Sequence, residues 1–260
     1  MTSFIDHLFD LKDRVVAITG GGGYLCGEMA RGLAKAGCRV VVMDLRAEKA
    51  EAVAEKIRND ISGEAIGIGF DASDKDAFKA GLAKTIDTYG HADILINGAG
   101  INAPTPFLEI DIEEFNAVMN SQITSTLFGC QVFGEHMLKR GKGTIINITS
   151  ASAGPPLSKA FTYSIAKAGI LNLTQNLARE WGTQGVRVNA IRPGFFPTEW
   201  NRKNFITKER EAAIFAHTPM ARYGEVEELV GAVIYLASDA SVFVTGSELA
   251  VDGGYSCMTI

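Results

Sequence analysis

Ser150, Tyr163 and Lys167 put a hydroxyl, a phenol and an ammonium on one short stretch, Thr144 to Gly169. Ile145 to Ile148 is an apolar run that reads as a buried strand, a small polar turn follows, and the next segment reads as a helix. Residues four apart on a helix share a face, which sets Tyr163 beside Lys167. Ser150 ends the strand, where the turn can fold its hydroxyl back towards the phenol. A nearby ammonium stabilises phenolate and so lowers a tyrosine pKa from its ordinary value of about 10. A phenol tuned in this way can exchange a proton with a carbonyl or alcohol oxygen. Tyr and Lys at this spacing are also common on ordinary helices, so the elements around them must decide what the pair does.

Those elements belong to a chain of 260 residues, 47% hydrophobic and 21% charged, long enough for one large α/β domain. A net charge of −5 with scattered Lys and Arg argues against a nucleic-acid partner. No apolar run approaches the roughly 18 residues of a membrane span. The N-terminal residues lack an export signal. Cys26, Cys38, Cys130 and Cys257 lie far apart without a Cys-x-x-Cys pair, which fits free thiols in a reducing cytoplasm. The four histidines lack ligand spacing, so no metal is expected.

Apolar runs read as strands at Val15–Thr19, Val40–Met43, Ala65–Phe70, Ile94–Ile96, Ile145–Ile148, Val186–Ile191 and Glu248–Val251. Helical patterns lie between them, including a long one over about 112–139. Nearly continuous apolar strands alternating with helices predict a Rossmann-type doubly wound α/β domain, its seven-stranded, mainly parallel sheet covered on both faces. No linker divides residues 1–260. Periodicity weakens over 195–217, which reads as a mobile substrate cap.

Strand one runs into Gly20 to Gly23, a turn whose backbone N–H groups and following helix suit a pyrophosphate. Asp44 ends strand two, where a carboxylate accepts hydrogen bonds from ribose hydroxyls. It would repel a 2′-phosphate, favouring NAD over NADP, although Arg46 is near enough to offset it partly. Asp71, after strand three, reads equally as a partner of the adenine amino group or as a turn cap.

Taken together these residues resemble the short-chain dehydrogenase/reductase family along essentially the whole chain. The shared elements are Thr19-Gly20, Asn97-Gly98-Ala99-Gly100, Ser150, Tyr163-x-x-x-Lys167, Pro193-Gly194 with Thr198, and Val251-Asp252-Gly253-Gly254. The resemblance implies hydride transfer between a nicotinamide and an alcohol/carbonyl pair. Tyr163 would be the general acid/base, Ser150 would polarise the substrate oxygen, and Lys167 would tune the phenol and hold the nicotinamide ribose. The nucleotide would meet Gly20, Gly22, Gly23, Tyr24 and Leu25 at its phosphates. Asp44, Leu45, Asp71, Ala72 and Asn97 to Ala99 would face its adenosine side, and Pro193, Gly194, Phe196 and Thr198 its nicotinamide end. Family members are commonly tetramers, so a homo-oligomer is expected.

The chain departs from the family pattern twice. Tyr24 and Cys26 stand where the nucleotide loop usually has glycines, and the relay asparagine of the long helix is replaced by Gln122, with Asn120 on another side of that helix. Segments 19–30, 192–202 and 216–229 resemble the branch of D-mannonate (fructuronate) oxidoreductases and sugar-acid reductases. Substrate contacts are accordingly sought at Ser152, Phe195, Trp200 and Arg202, the last as a cation for a carboxylate or simply a solvated arginine. The expected activity is NAD-dependent oxidoreduction of a polyol, sugar or sugar acid. A 3-oxoacyl-thioester reductase and a non-catalytic nucleotide-binding protein are the alternatives.

Overall fold

The computed structural model describes residues 4–155, 157–204 and 206–258, without the side chains of Glu199, Trp200 and Asn204. A short helix α1 (Phe4–Leu8) precedes strand β1 (Val15–Thr19). Helix α2 (Tyr24–Lys35), β2 (Arg39–Asp44), α3 (Ala47–Ile61), β3 (Ala65–Gly69), α4 (Lys75–Tyr89) and β4 (Ile94–Asn97) complete the first half. The second half holds α5 (Ile112–Met119), α6 (Ser125–Arg140), β5 (Gly143–Ile148), α7 (Phe161–Trp181) and β6 (Val186–Pro193). Helices α8 (Glu199–Asn204), α9 (Lys208–Ala216) and α10 (Val230–Ala237) then lead to β7 (Glu248–Val251).

The strands form one sheet in the order β3-β2-β1-β4-β5-β6-β7, and every pairing is parallel. The order reverses between β1 and β4, and ligands of open α/β sheets bind in the crevice at that switch point, outside the carboxyl ends of the strands. The expected Rossmann-type sheet is present. Alternation along the strands explains the two covered faces. Val16 and Ile18 pack with Met29 and Leu33 of α2, Ala54 of α3 and Val233 of α10. Ala17 of β1 turns the other way, into a core shared with Phe78 of α4, Phe133 and Met137 of α6 and Trp181 of α7.

Three local features depart from the simplest reading. Helix α2 begins at Tyr24, directly after the glycine turn. Strand β6 runs on through Arg192 and Pro193. The long helical stretch is broken by a wider π turn, Asn120–Thr124. The hydroxyls of Ser125 and Thr126 donate to the Gln122 carbonyl at 3.0 and 2.8 Å, and Ser125 also donates to the Ser121 carbonyl at 2.7 Å. Side-chain hydroxyls that bond back to carbonyls compete with the regular ladder, and a Ser/Thr-rich run can therefore support a wider turn.

Candidate active site

The carboxyl ends of β1, β2, β4, β5 and β6 carry the chemistry-bearing residues towards one edge of the sheet. Ser150 follows β5, is half-buried, and accepts hydrogen bonds from the backbone N–H of Ser152 at 3.2 Å and from its hydroxyl at 3.1 Å. Ser152 itself is buried, so its hydroxyl serves Ser150 directly. The Ser150 hydroxyl is also near enough to the Tyr163 phenol to favour its ionised form. Lys167 is buried, its ammonium donating to the Ile148 carbonyl at 2.6 Å and lying 5.4 Å from the centre of the Tyr163 ring.

The electrostatics differ from the expectation of a lysine-tuned phenol. Burial pushes the Tyr163 pKa up, and the Ser150 hydrogen bond pulls it part of the way back. Burial is also what moves Lys167, down to about 8, with Cys26 acting weakly in the opposite sense. The protein alone therefore holds an ammonium that is costly to keep charged, facing a phenol that is costly to ionise.

Gln122 is swung inward by the π turn. Its amide N–H donates to the Ile101 carbonyl at 2.8 Å, while its Oε1 is buried without a partner. Its longer arm lies over Gly100, where any Cβ would collide with the carboxamide. Asn120 is exposed and bonds Thr124. A buried amide oxygen left unpaired costs about 1–3 kcal/mol, so a partner at Gln122 Oε1 would be favourable.

At the nucleotide end, the Thr19 hydroxyl accepts from the backbone N–H groups of Gly98 and Ala99 at 3.0 and 3.1 Å, tying β1 to the turn after β4. Tyr24 opens α2 and is 46% exposed, so its bulk is not packed into the core beneath the loop. Cys26 is buried against Gly98, and a Cβ at residue 98 would collide with its sulfur. The bulk gained at residue 26 is thus accommodated by the bare backbone at residue 98. Asp44 is buried to 7% exposure; its two oxygens accept from Gly22 N and Arg46 N, each at 3.1 Å, and the Arg46 guanidinium is 3.8 Å away.

These features fit a nicotinamide dinucleotide: a turn of bare backbone N–H groups, a buried carboxylate at the ribose position and a buried ammonium lacking a carboxylate partner among the described residues. The surroundings of the other expected contacts are these. The Asp71 carboxylate is engaged by Ser73, through its N–H at 2.9 Å and its hydroxyl at 2.7 Å, which is the turn-cap geometry. Leu45 is exposed and Ala72 is partly buried against the sheet. Phe196 is packed into the core, Phe195 meets Tyr255 edge-on at 5.2 Å, and Thr198 accepts from Asn201 N at the start of α8. Arg202 is exposed, its guanidinium 4.9 Å from the centre of the Tyr223 ring. The side chain of Trp200 lies outside the described residues.

Several partners of the expected residues carry no sequence signal. Asn97 donates to Asn147 at 2.9 Å, and Asn147 to Thr174 at 2.9 Å, a buried polar line joining β4, β5 and α7. Beside Ser150, the Thr149 hydroxyl donates to Glu248 at 2.5 Å, and Glu248 is paired with Arg192, which also reaches Ser256 at 3.2 Å. The pattern Arg192-Pro193 is visible in the sequence, but its carboxylate partner on β7 is not.

Residues 25–256 match the family model described as enoyl-(acyl carrier protein) reductase. The gluconate 5-dehydrogenase of Gluconobacter oxydans is 34% identical over 247 residues, covering 95% of this chain and 96% of that protein. The chain belongs to the short-chain dehydrogenase/reductase family. As a member it is an oxidoreductase that works with a nicotinamide cofactor on CH–OH groups. A gluconate 5-dehydrogenase from Burkholderia cenocepacia, solved in complex with NADP and tartrate, superposes with a TM-score of 0.93 at 33% identity, covering 98% of this chain and all of that one. A Haemophilus influenzae protein with a provisional D-mannonate oxidoreductase designation, solved with bound NAD, gives 0.90 at 35% identity over 98% of this chain and 99% of that one. Among the described residues no helix is long and apolar enough to cross a membrane.

Proposed function

We propose that this dehydrogenase interconverts a secondary alcohol and a ketone on a polyol, sugar or sugar acid, with NAD preferred over NADP. The observation that carries the reading is the convergence of Ser150, the Tyr163 phenol and buried Lys167 at the sheet edge that also holds the glycine turn and Asp44. The bound nicotinamide supplies or accepts the hydride. Ser150 donates a hydrogen bond to the substrate oxygen, and Tyr163 gives that oxygen its proton on reduction or takes it on oxidation. Lys167 holds the nicotinamide ribose, and its proton can be replaced through a water bridging towards the unpaired Gln122 Oε1.

Asp44 supports the NAD preference, since a buried carboxylate already accepting two N–H groups repels a 2′-phosphate. Arg46 is more exposed and reduces that repulsion without removing it. Gluconate, threitol and 5-ketogluconate enzymes among the relatives support the substrate class. Apolar side chains on the surface, including Phe107, Leu108, Ile112 and Ile165, support self-association, with a tetramer as the expected form. The free cysteines support a cytoplasmic setting.

A panel of alditols, aldonates and keto acids assayed with NAD and NADP, following reduced-cofactor absorbance, tests the reading. Turnover should be higher with NAD, and Tyr163→Phe should lower kcat by about 10²–10⁴-fold while calorimetry shows cofactor affinity little changed. Turnover retained in that variant removes the assigned role of Tyr163; tighter binding of NADP removes that of Asp44.

A further inference from the structure

A substrate with a carboxylate needs a cation at the carboxyl edge of the sheet, and most arginines near that edge are already engaged. Arg192 is bound by Glu248 and Ser256. Arg222 forms a two-pronged pair with Glu228 at 2.6 and 2.8 Å. Arg202 is exposed and stacked on Tyr223.

Arg210 is different. It is half-buried on α9, and among the described residues no carboxylate lies within ion-pair distance of it. Its guanidinium makes one long contact, 3.4 Å, to the Ser158 hydroxyl. Ser158 belongs to the segment between Ser150 and Tyr163, so Arg210 reaches from the cap across to the loop that carries the proton chemistry. Its charge also acts on the Tyr255 phenol, opposing the rise that burial imposes there. Tyr255 in turn packs on Phe195, the residue after Pro193-Gly194. Arg210 therefore stands among the segments that follow β5, β6 and β7, on the side where open α/β sheets bind their ligands.

We infer that Arg210 is the specificity-determining residue that binds the carboxylate of a sugar-acid substrate, with Ser158 beside it as a further hydrogen-bonding group. The inference rests on the proposed oxidoreductase reading and narrows it from polyols, sugars and sugar acids to the acids. A guanidinium offers a rigid fork of donors that matches a carboxylate. With one long contact at 3.4 Å, the Arg210 guanidinium keeps donors available, and a carboxylate completes the site. A neutral polyol leaves it incomplete.

The test uses the full-length protein with matched pairs, D-gluconate against D-sorbitol and their keto forms, at saturating NAD or NADH. The wild type should favour the acid of each pair. In Arg210→Ala the acid-to-polyol ratio of kcat/KM should fall by about ten-fold or more, chiefly through KM for the acid. Arg210→Lys, which keeps the charge and loses the fork, should fall between the two and guards against a folding defect in the alanine variant. An unchanged ratio in both variants overturns the inference. So does a wild type that turns over polyols but no acid, an outcome that leaves the oxidoreductase reading standing. The fall in kcat expected for Tyr163→Phe tests that reading separately.

Discussion

The two sides of the candidate site are built by different means. On the nucleotide side, short side chains close directly on backbone: the Thr19 hydroxyl is bonded to Gly98 and Ala99, the Cys26 sulfur is seated on Gly98, and the Asp44 carboxylate is held by two N–H groups. On the other side, contacts between side chains carry more of the work, with Phe195 on Tyr255, Arg202 over Tyr223 and Arg210 reaching Ser158. Backbone contacts at van der Waals distance tolerate few residue types, whereas side-chain contacts on an exposed helix can be exchanged at low cost. One frame can thus keep a cofactor and change what it acts on. Lys167 stands at the join, a buried charge awaiting partners from both sides.

Substitution at that join should have the largest effect. Lys167→Met removes the ammonium but keeps much of its bulk, and should abolish useful turnover while stabilising the cofactor-free fold at neutral pH. The folded pKa of Lys167 is about 8, below its ordinary 10.5. Between those values the unfolded chain binds more protons, so this group's contribution to stability rises with pH through that window and its penalty is fully present below it. The penalty is on the order of 3 kcal/mol. Thermal unfolding of both proteins from pH 7 to 10.5 should show the variant's advantage shrinking as pH rises; an advantage independent of pH would mean that the charge is not what burial penalises.

Next in size is the packing of Cys26 on Gly98. Gly98→Asn should destabilise by about 1–3 kcal/mol through overpacking, and adding Cys26→Gly should recover part of that loss. Denaturant unfolding of the two single variants and the double variant gives the coupling. Strict additivity would show that the two sites do not share the space. The smallest effect belongs to the cap: Arg202→Ala should cost no more than about 1 kcal/mol, the range of an exposed cation–aromatic contact. A loss of several kcal/mol would place the cap among the rigid parts and undo the contrast.

Much of this was legible in advance because it depends on periodicity and on local chemistry. The seven strands, the glycine turn followed by a helix, Asp44 ending β2 and the pairing of Tyr163 with Lys167 all follow from neighbours in sequence. Harder to read were features set by competition between local and distant contacts. The π turn at 120–124 arises where Ser and Thr hydroxyls bond carbonyls that a regular helix would use. Arg192 is visible beside Pro193, but its pairing with Glu248 spans 56 residues. Arg202 reads in the sequence as one candidate cation or as a solvated arginine, and neither its place over Tyr223 nor the approach of Arg210 to Ser158 can be read from neighbours in the chain.

The sequence by itself determined the strand–helix alternation, the positions of the titratable groups along it and the family they resemble, because side-chain period and turn chemistry act over a few residues. Tertiary structure alone decided how those groups are tuned. Burial raises Tyr163 and lowers Lys167, an effect no neighbour in sequence predicts, because desolvation depends on everything packed around a charge. It also decided that Cys26 fits only because residue 98 has no side chain, and that Arg210 meets no carboxylate at ion-pair distance among the described residues.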